Sequence, residues 1–301
     1  MERRPYLKPR PLHPGSRIAV VAPASPPPPE RLKVGLDILH RRGFDVQTHQ
    51  QTFLTQDYLA GNDGQRLHAL HSVLSDPDVD AVWCARGGYG TLRAMARLPA
   101  IERTVPPALL GFSDVTVLLA HVTQRWGWVT FHAPNVTTIP SLNGASRDAL
   151  NDFLDGNSPI RFEQLETLHP GKGQGELLVM NLAMLCSLAG TPFFPDLKGR
   201  ILVLEEVGEA PYRLDRLLTQ LLWIPSFQQI AGLVLGDLDF GGKDPGVIAT
   251  LDHIAATLKV PCVAGFPIGH GSNNHIVPLG VSALLDATLG LLEIQESPLA
   301  G

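Results

Sequence analysis

The chain has 301 residues, 44% of them hydrophobic, and 24 Lys and Arg against 29 Asp and Glu give it a formal charge of −5. That composition supports a buried core, excludes an intrinsically disordered chain and, with no basic cluster past the first ten residues, argues against nucleic acid as a partner. The opening M-E-R-R-P-Y-L-K-P-R lacks the apolar run of a secretory signal, no stretch has the length and apolarity of a membrane span, and Cys84, Cys186 and Cys262 sit in apolar surroundings without C-x-x-C spacing, so a reduced, cytoplasmic protein is expected.

Residues 17–24 (R-I-A-V-V-A-P-A) read as a buried strand. The prolines at 26–29 then block an immediate helix. Leu32, Leu36 and Leu39 mark an amphipathic helix ending at Gly43, and a short strand follows at 44–48. Leu67, Leu70 and Leu74 mark a second helix, stopped by Asp76-Pro77. A third strand at 79–85 leads into R-G-G-Y-G and a helix through Leu92 and Met95. An apolar run from Ala108 turns at Gly111-Phe112-Ser113-Asp114 into another helical segment, and a fifth strand covers 129–132. Alternating strands and helices predict βαβ units, hence a parallel sheet with helices on both faces over residues 1–137.

Residues 138–175 are polar and rich in Gly, Pro and Ser, with one short helical pattern, and read as an inter-domain connection. The remainder, 176–301, reads as strand 177–179, helix 182–189, strand 201–205, a helix through Leu214, Leu217, Leu218 and Leu221, strand 230–235, helix 247–258 and strand 262–268. That last strand runs into G-H-G-S-N-N-H, and a hairpin at 281–285 and 289–294 closes the chain. The fold class expected is α/β: an N-terminal parallel-sheet domain and a smaller C-terminal α/β domain with some antiparallel pairing.

Sites in such sheets form at the carboxyl ends of strands. Two strand ends stand out. Ser113 lies at a strand-to-helix corner, where a hydroxyl is pushed out of the sheet edge towards a helix N-terminus; it reads either as a nucleophile or as a helix cap. Gly87, Gly88 and Gly90 permit a tight turn with exposed N–H groups. G-G-x-G after the third strand is not the dinucleotide pattern, which leaves an oxyanion hole or a plain turn. Cys84 reads as core packing or as a rival nucleophile of the amidotransferase type.

A serine needs a base and the base an orienting carboxylate. Of eleven histidines, His40, His68, His71 and His253 fall in helical patterns, and His121 and His132 lie near the sheet. His270, between two glycines past a strand end, is the candidate base, with His275 as competitor. Glu205 ends I-L-V-L-E, where a charge is costly without a partner; Glu206 should point to the opposite face, and Glu209 and Asp215 are further candidates. No metal-ligand spacing is present, although Asp237, Asp239 and residues 241–245 could form an ion loop or a solvated one.

Four motifs in this order resemble one family: R-G-G-Y-G (86–90), G-F-S-D-V-T (111–116), L-E-E-V-G-E-A-P-Y-R-L-D-R (204–216) and G-H…V-P-L-G (269–280), after the opening P-G-S-R-I-A-V-V-A-P-A-S-P (14–26). The chain resembles the LD-carboxypeptidases, serine peptidases with a Ser-Glu-His triad, over nearly its whole length. The resemblance implies Ser113 as nucleophile, Glu205 as orienting acid and His270 as general base. It implies oxyanion donors on the Gly88 and Asp114 N–H groups, with Gly87 close behind, and no cofactor or metal. Arg86 is a candidate for the substrate carboxylate, its alternative being a structural ion pair.

The resemblance also implies two α/β domains, a homodimer, and release of the terminal D-alanine from murein tetrapeptides in cytoplasmic peptidoglycan recycling. Alternatives are a microcin-immunity-type peptidase cleaving a peptide–nucleotide amide and a non-catalytic α/β ligand-binding protein. Two departures stand out: Val179-Met180-Asn181 replaces the family's Gly-Gly-Asn, and His132-Ala133-Pro134 its His-Gly-Pro.

Overall fold

A computed structural model describes residues 5–158, 160–238 and 244–301. The chain divides into two compact units, one of residues 1–158, 275–280 and 298–301, the other of 159–274 and 281–297.

The first unit holds the strands and helices read over 1–137, β1 (Arg17–Val21), α1 (Pro29–Arg41), β2 (Asp45–Thr48), α2 (Asp63–Ser75), β3 (Ala81–Cys84), α3 (Thr91–Met95), β4 (Ala108–Gly111), α4 (Thr116–His121) and β5 (Thr130–His132), and beyond them α5 (Gly144–Leu154). β1 to β5 are mutually parallel where they pair, so their carboxyl ends lie along one edge. The central strands β3 and β4 are buried at every position, as strands covered on both faces must be, whereas edge strand β2 alternates exposed and half-buried residues. The prolines do delay α1, but the last of them starts it: Pro29 takes the first helical position, where its fixed φ suits the helix and its missing N–H costs nothing.

The face of α2 differs from the spacing read above. It buries Arg66, Ala69, Leu70, Val73 and Leu74, while Leu67 is only half-buried. Arg66 stands four residues before Leu70 and eight before Leu74, so it shares their stripe; a count of apolar residues alone passes over it.

The second unit holds β6 (Arg161–Phe162), β7 (Glu166–His169), β8 (Lys172–Asn181), α6 (Leu182–Ser187), β9 (Ile201–Glu205), α7 (Pro211–Leu222), β10 (Gly232–Leu235), α8 (Pro245–Leu258) and β11 (Cys262–Ala264). The chain then makes β12 (Val277–Leu279), β13 (Ser282–Asp286) and β14 (Leu291–Ile294). The sheet of the second unit runs β6-β14-β13-β8-β9-β10-β11-β7. β8 does double duty: residues 172–176 pair antiparallel with β13, and 177–181 pair parallel with β9. The expected hairpin is β13–β14.

Residues 138–175 are not a bare connection. They carry α5, capped by Asn143, in the first unit, and β6, β7 and the start of β8 in the second. Strand β12 was not anticipated. It leaves its sequence neighbours and pairs antiparallel with β5, giving the first sheet the order β12-β5-β4-β3-β1-β2. The strand expected over 262–268 ends at Ala264, and the rest is loop. Of the loop weighed above as an ion loop or a solvated one, Asp239 and residues 241–243 lie outside the described residues.

Candidate active site

In the first unit, β4 delivers Ser113. Its backbone has φ +66, the left-handed region that non-glycine residues enter at a cost of about 1–2 kcal/mol. A strained serine directly after a buried strand is how a nucleophile is thrust off a sheet edge. The capping alternative finds no support in the bonds made: a 3-10 turn at Ser113–Val115 has Phe112 at its cap, α4 has Val115 at its own, and neither cap makes a side-chain bond. The Thr116 hydroxyl donates to the Ser113 carbonyl at 2.7 Å and fixes the corner.

The glycine turn lies directly against this corner. A Cβ on Gly87 would stand 2.9 Å from Ser113 Cβ and 3.1 Å from its Oγ, so only glycine permits the approach. Gly88 and Gly90 have φ +107 and +125. Two further links fasten the turn, one to the corner and one to the loop after β1. The buried Asp114 carboxylate accepts the Thr91 N–H at 2.8 Å, where α3 leaves the turn; burial pushes that carboxyl above the usual range, against the bonds from Thr91 and Gly90. Arg66, fully buried, donates through Nη1 to the carbonyls of Pro23 at 2.7 Å and Gly90 at 2.6 Å, and its Nη2 pairs with Asp63. Arg86 is exposed and donates to the Pro26 carbonyl at 2.9 Å, a backbone tie in place of the ion pair considered above.

Cys84 is fully buried and has no access to solvent. Burial, with the Asp114 charge adding to it, pushes its thiol far up, which removes the thiolate that a cysteine nucleophile requires. The amidotransferase-type alternative is therefore overturned. His132 is likewise core, packed edge-on against Phe112 with centroids 5.8 Å apart.

The second unit carries an acid and a base. Glu205, last residue of β9, is fully buried, and its Oε2 meets His270 Nδ1 at 2.8 Å. Its Oε1 is buried with no hydrogen-bond partner among the described residues, so the carboxylate is directed at one imidazole. His270 keeps 20% of its side-chain surface exposed. Burial lowers its pKa, but the hydrogen bond and charge of Glu205, followed by the charges of Glu206 and Asp237, outweigh that and raise it above 6.5. The loop is held by close approach: a Cβ on Gly269 would lie 2.5 Å from Asp237 Cβ, and the Asp237 N–H donates to the Ile268 carbonyl at 2.8 Å.

Glu206 does turn from Glu205's partner. Its Oε1 accepts from Asn181 Nδ2 at 3.2 Å and its Oε2 from the Ala183 N–H at 2.7 Å, so it fastens the start of α6. Asn181 also caps α6, a role independent of the Val179-Met180 departure before it. The other candidate carboxylates are spent on α7 or near it: Glu209 pairs with Arg213 at 3.5 Å and Asp215 accepts from Thr219. His275 falls in the first unit, just before β12. Among the described residues no cluster of His, Cys, Asp and Glu could hold a metal ion, and no helix is long and apolar enough to cross a membrane.

The model of the LD-carboxypeptidase N-terminal domain matches residues 18–133, and that of the LD-carboxypeptidase C-terminal domain matches residues 174–285. The chain belongs to the LD-carboxypeptidase family. It is 35% identical over 291 residues to a probable murein peptide carboxypeptidase of Bacillus subtilis, covering 93% of this chain and 91% of that one. It is 35% identical over 288 residues to the murein tetrapeptide carboxypeptidase of Pseudomonas aeruginosa, covering 90% and 93%. Among solved structures, the muramoyltetrapeptide carboxypeptidase of Oxalobacter formigenes matches with TM-score 0.80 and 28% identity over 94% of this chain and all of that one. MccF in complex with glutamyl sulfamoyl guanosine matches with TM-score 0.87 over 98% of this chain and all of that one, but at 20% identity, which shows a shared fold alone.

Proposed function

We propose that this LD-carboxypeptidase releases the terminal D-alanine of murein tetrapeptides through a triad of Ser113, Glu205 and His270. The observation that carries the reading is the 2.8 Å contact between His270 Nδ1 and the buried Glu205 carboxylate, which fixes the tautomer with the lone pair on Nε2. His270 Nε2 takes the Ser113 proton as Oγ attacks the amide between the L-centre of the diamino acid and D-alanine. The oxyanion is received by backbone N–H groups of the glycine turn, Gly88 with Gly87 as the near alternative, and by that of Asp114. His270 passes its proton to the leaving amine, and water, deprotonated by His270, resolves the acyl-enzyme. Arg86 would receive the substrate's carboxylate.

The names of the B. subtilis, P. aeruginosa and O. formigenes relatives support a murein peptide as substrate. Three free, buried cysteines support work in the reducing cytoplasm, and the family resemblance a homodimer. Ser113→Ala is expected to lower D-alanine release from a murein tetrapeptide by about 10⁴-fold or more, read by mass spectrometry of the tripeptide product. Full release by that variant would sink the triad. Cleavage of a peptide–nucleotide amide in preference to the tetrapeptide would move the protein to the microcin-immunity alternative, and binding without turnover to the ligand-binding one.

A further inference from the structure

Strand β1 ends at Val21, and the chain continues alongside the glycine turn as Ala22-Pro23-Ala24-Ser25-Pro26. Ser25 is 8% exposed. It grips the turn at two points. Its N–H donates to the Gly87 carbonyl at 3.3 Å, and its Oγ accepts the Tyr89 N–H at 3.1 Å. Gly88 sits so close that a Cβ there would lie 2.4 Å from Ser25 Oγ. The turn is therefore flanked by two serines: Ser25 beside Gly88 and Ser113 beside Gly87.

The peptide joining Gly87 to Gly88 is trans and planar, so its carbonyl and its N–H point in opposite directions. With the carbonyl engaged by Ser25, the Gly88 N–H is turned away from Ser25. Two glycines in succession give this peptide little resistance of its own to rotation, since neither carries a Cβ to bar the flipped form. A flip would put a carbonyl where an oxyanion donor is needed.

We infer that Ser25 is a positioning residue that locks the Gly87–Gly88 peptide with its N–H directed towards the nucleophile. The inference rests on Ser113 being that nucleophile. Ser25 touches no reacting atom; it acts through the peptide it holds. The Gly87 carbonyl is held by the Ser25 backbone N–H, while the Ser25 hydroxyl holds the N–H of the next peptide, that of Tyr89, and so pins the far side of Gly88. Ser25→Ala keeps the first grip and releases the second, which leaves Gly88 free to turn and carry the Gly87–Gly88 peptide with it.

The test is steady-state kinetics of Ser25→Ala on a murein tetrapeptide, with Ser113→Ala alongside. The binding of the tripeptide product and the melting temperature are measured on the same proteins. Losing an oxyanion donor outright costs about 10²–10³ in kcat, so a peptide that is only partly locked should lose roughly tenfold or more, with KM and tripeptide affinity within about twofold of the parent. An unchanged kcat overturns the inference. So does a fall in kcat matched by an equal loss of tripeptide affinity or by a lowered melting temperature, which would mark a loosened fold. If Ser113→Ala remains active the triad itself is wrong and the role of Ser25 falls with it; inactive Ser113→Ala beside a fully active Ser25→Ala rejects the positioning role alone.

Discussion

His270 is half-way between core and solvent, and its protonation follows from that placement. Its pKa is raised above 6.5 because Glu205 outweighs burial. A base must be neutral to accept a proton, so kcat/KM is expected to rise with pH through a midpoint above 6.5. Glu205→Gln removes the acceptor charge; the midpoint should move to lower pH and kcat should fall by about 10⁴-fold. A pH–rate profile checks both, and an unmoved midpoint would separate Glu205 from the base. The sign for stability is the reverse of that for activity. A group whose folded pKa is raised stabilises the fold below its unfolded value of 6.5, and the contribution is lost as pH rises through the higher folded value. Ser113, Glu205 and His270 were legible because each breaks a local rule: a polar residue ends an apolar run or is bracketed by glycines. Ser25 was not, because its partners Gly87 and Tyr89 lie more than sixty residues away, and a serine among prolines reads as an ordinary loop.

The elements around the glycine turn depend on one buried cation. Arg66 on α2 holds the loop after β1 and the turn after β3 by their carbonyls, while Asp63, one turn earlier on α2, balances its charge and also pairs with Arg93 of α3. Arg66→Ala leaves two carbonyls and a void in place of that cluster and should cost about 3–5 kcal/mol, read as a lower urea midpoint with the m-value unchanged. A loss below about 1 kcal/mol would show that water takes over the role. The central strands β1, β3, β4, β9 and β10 could be read from apolar runs because burial on both faces leaves no other composition, whereas β6, β7 and the start of β8, mostly exposed or half-buried, could not. α5 showed only as a short helical pattern in a Gly- and Ser-rich stretch, since its four buried apolar anchors Ala149, Leu150, Phe153 and Leu154 are separated by polar residues. β12 escaped notice because three residues with a proline at the centre lie below any periodic signal.

At the scale of the molecule, β12 makes the two units topologically inseparable in sequence. It closes the outer edge of β5, and Pro278 at its centre offers no N–H there, which blunts further pairing. A chain ending at residue 158 would carry β1 to β5 with that edge open. It is expected to associate or precipitate in size-exclusion chromatography with light scattering, whereas a soluble monomer with native circular dichroism would show that β12 is dispensable. The same feature sets a schedule during synthesis. Phe131 of β5 leaves the ribosome long before its partner Pro278 is made. At about 5–20 residues per second, the sheet waits roughly 7 to 30 seconds for its last strand. Throughout that interval the nascent chain presents a bare strand edge to its neighbours on the polysome, so chaperone demand should peak in the middle of translation and end once the C-terminal fifth emerges.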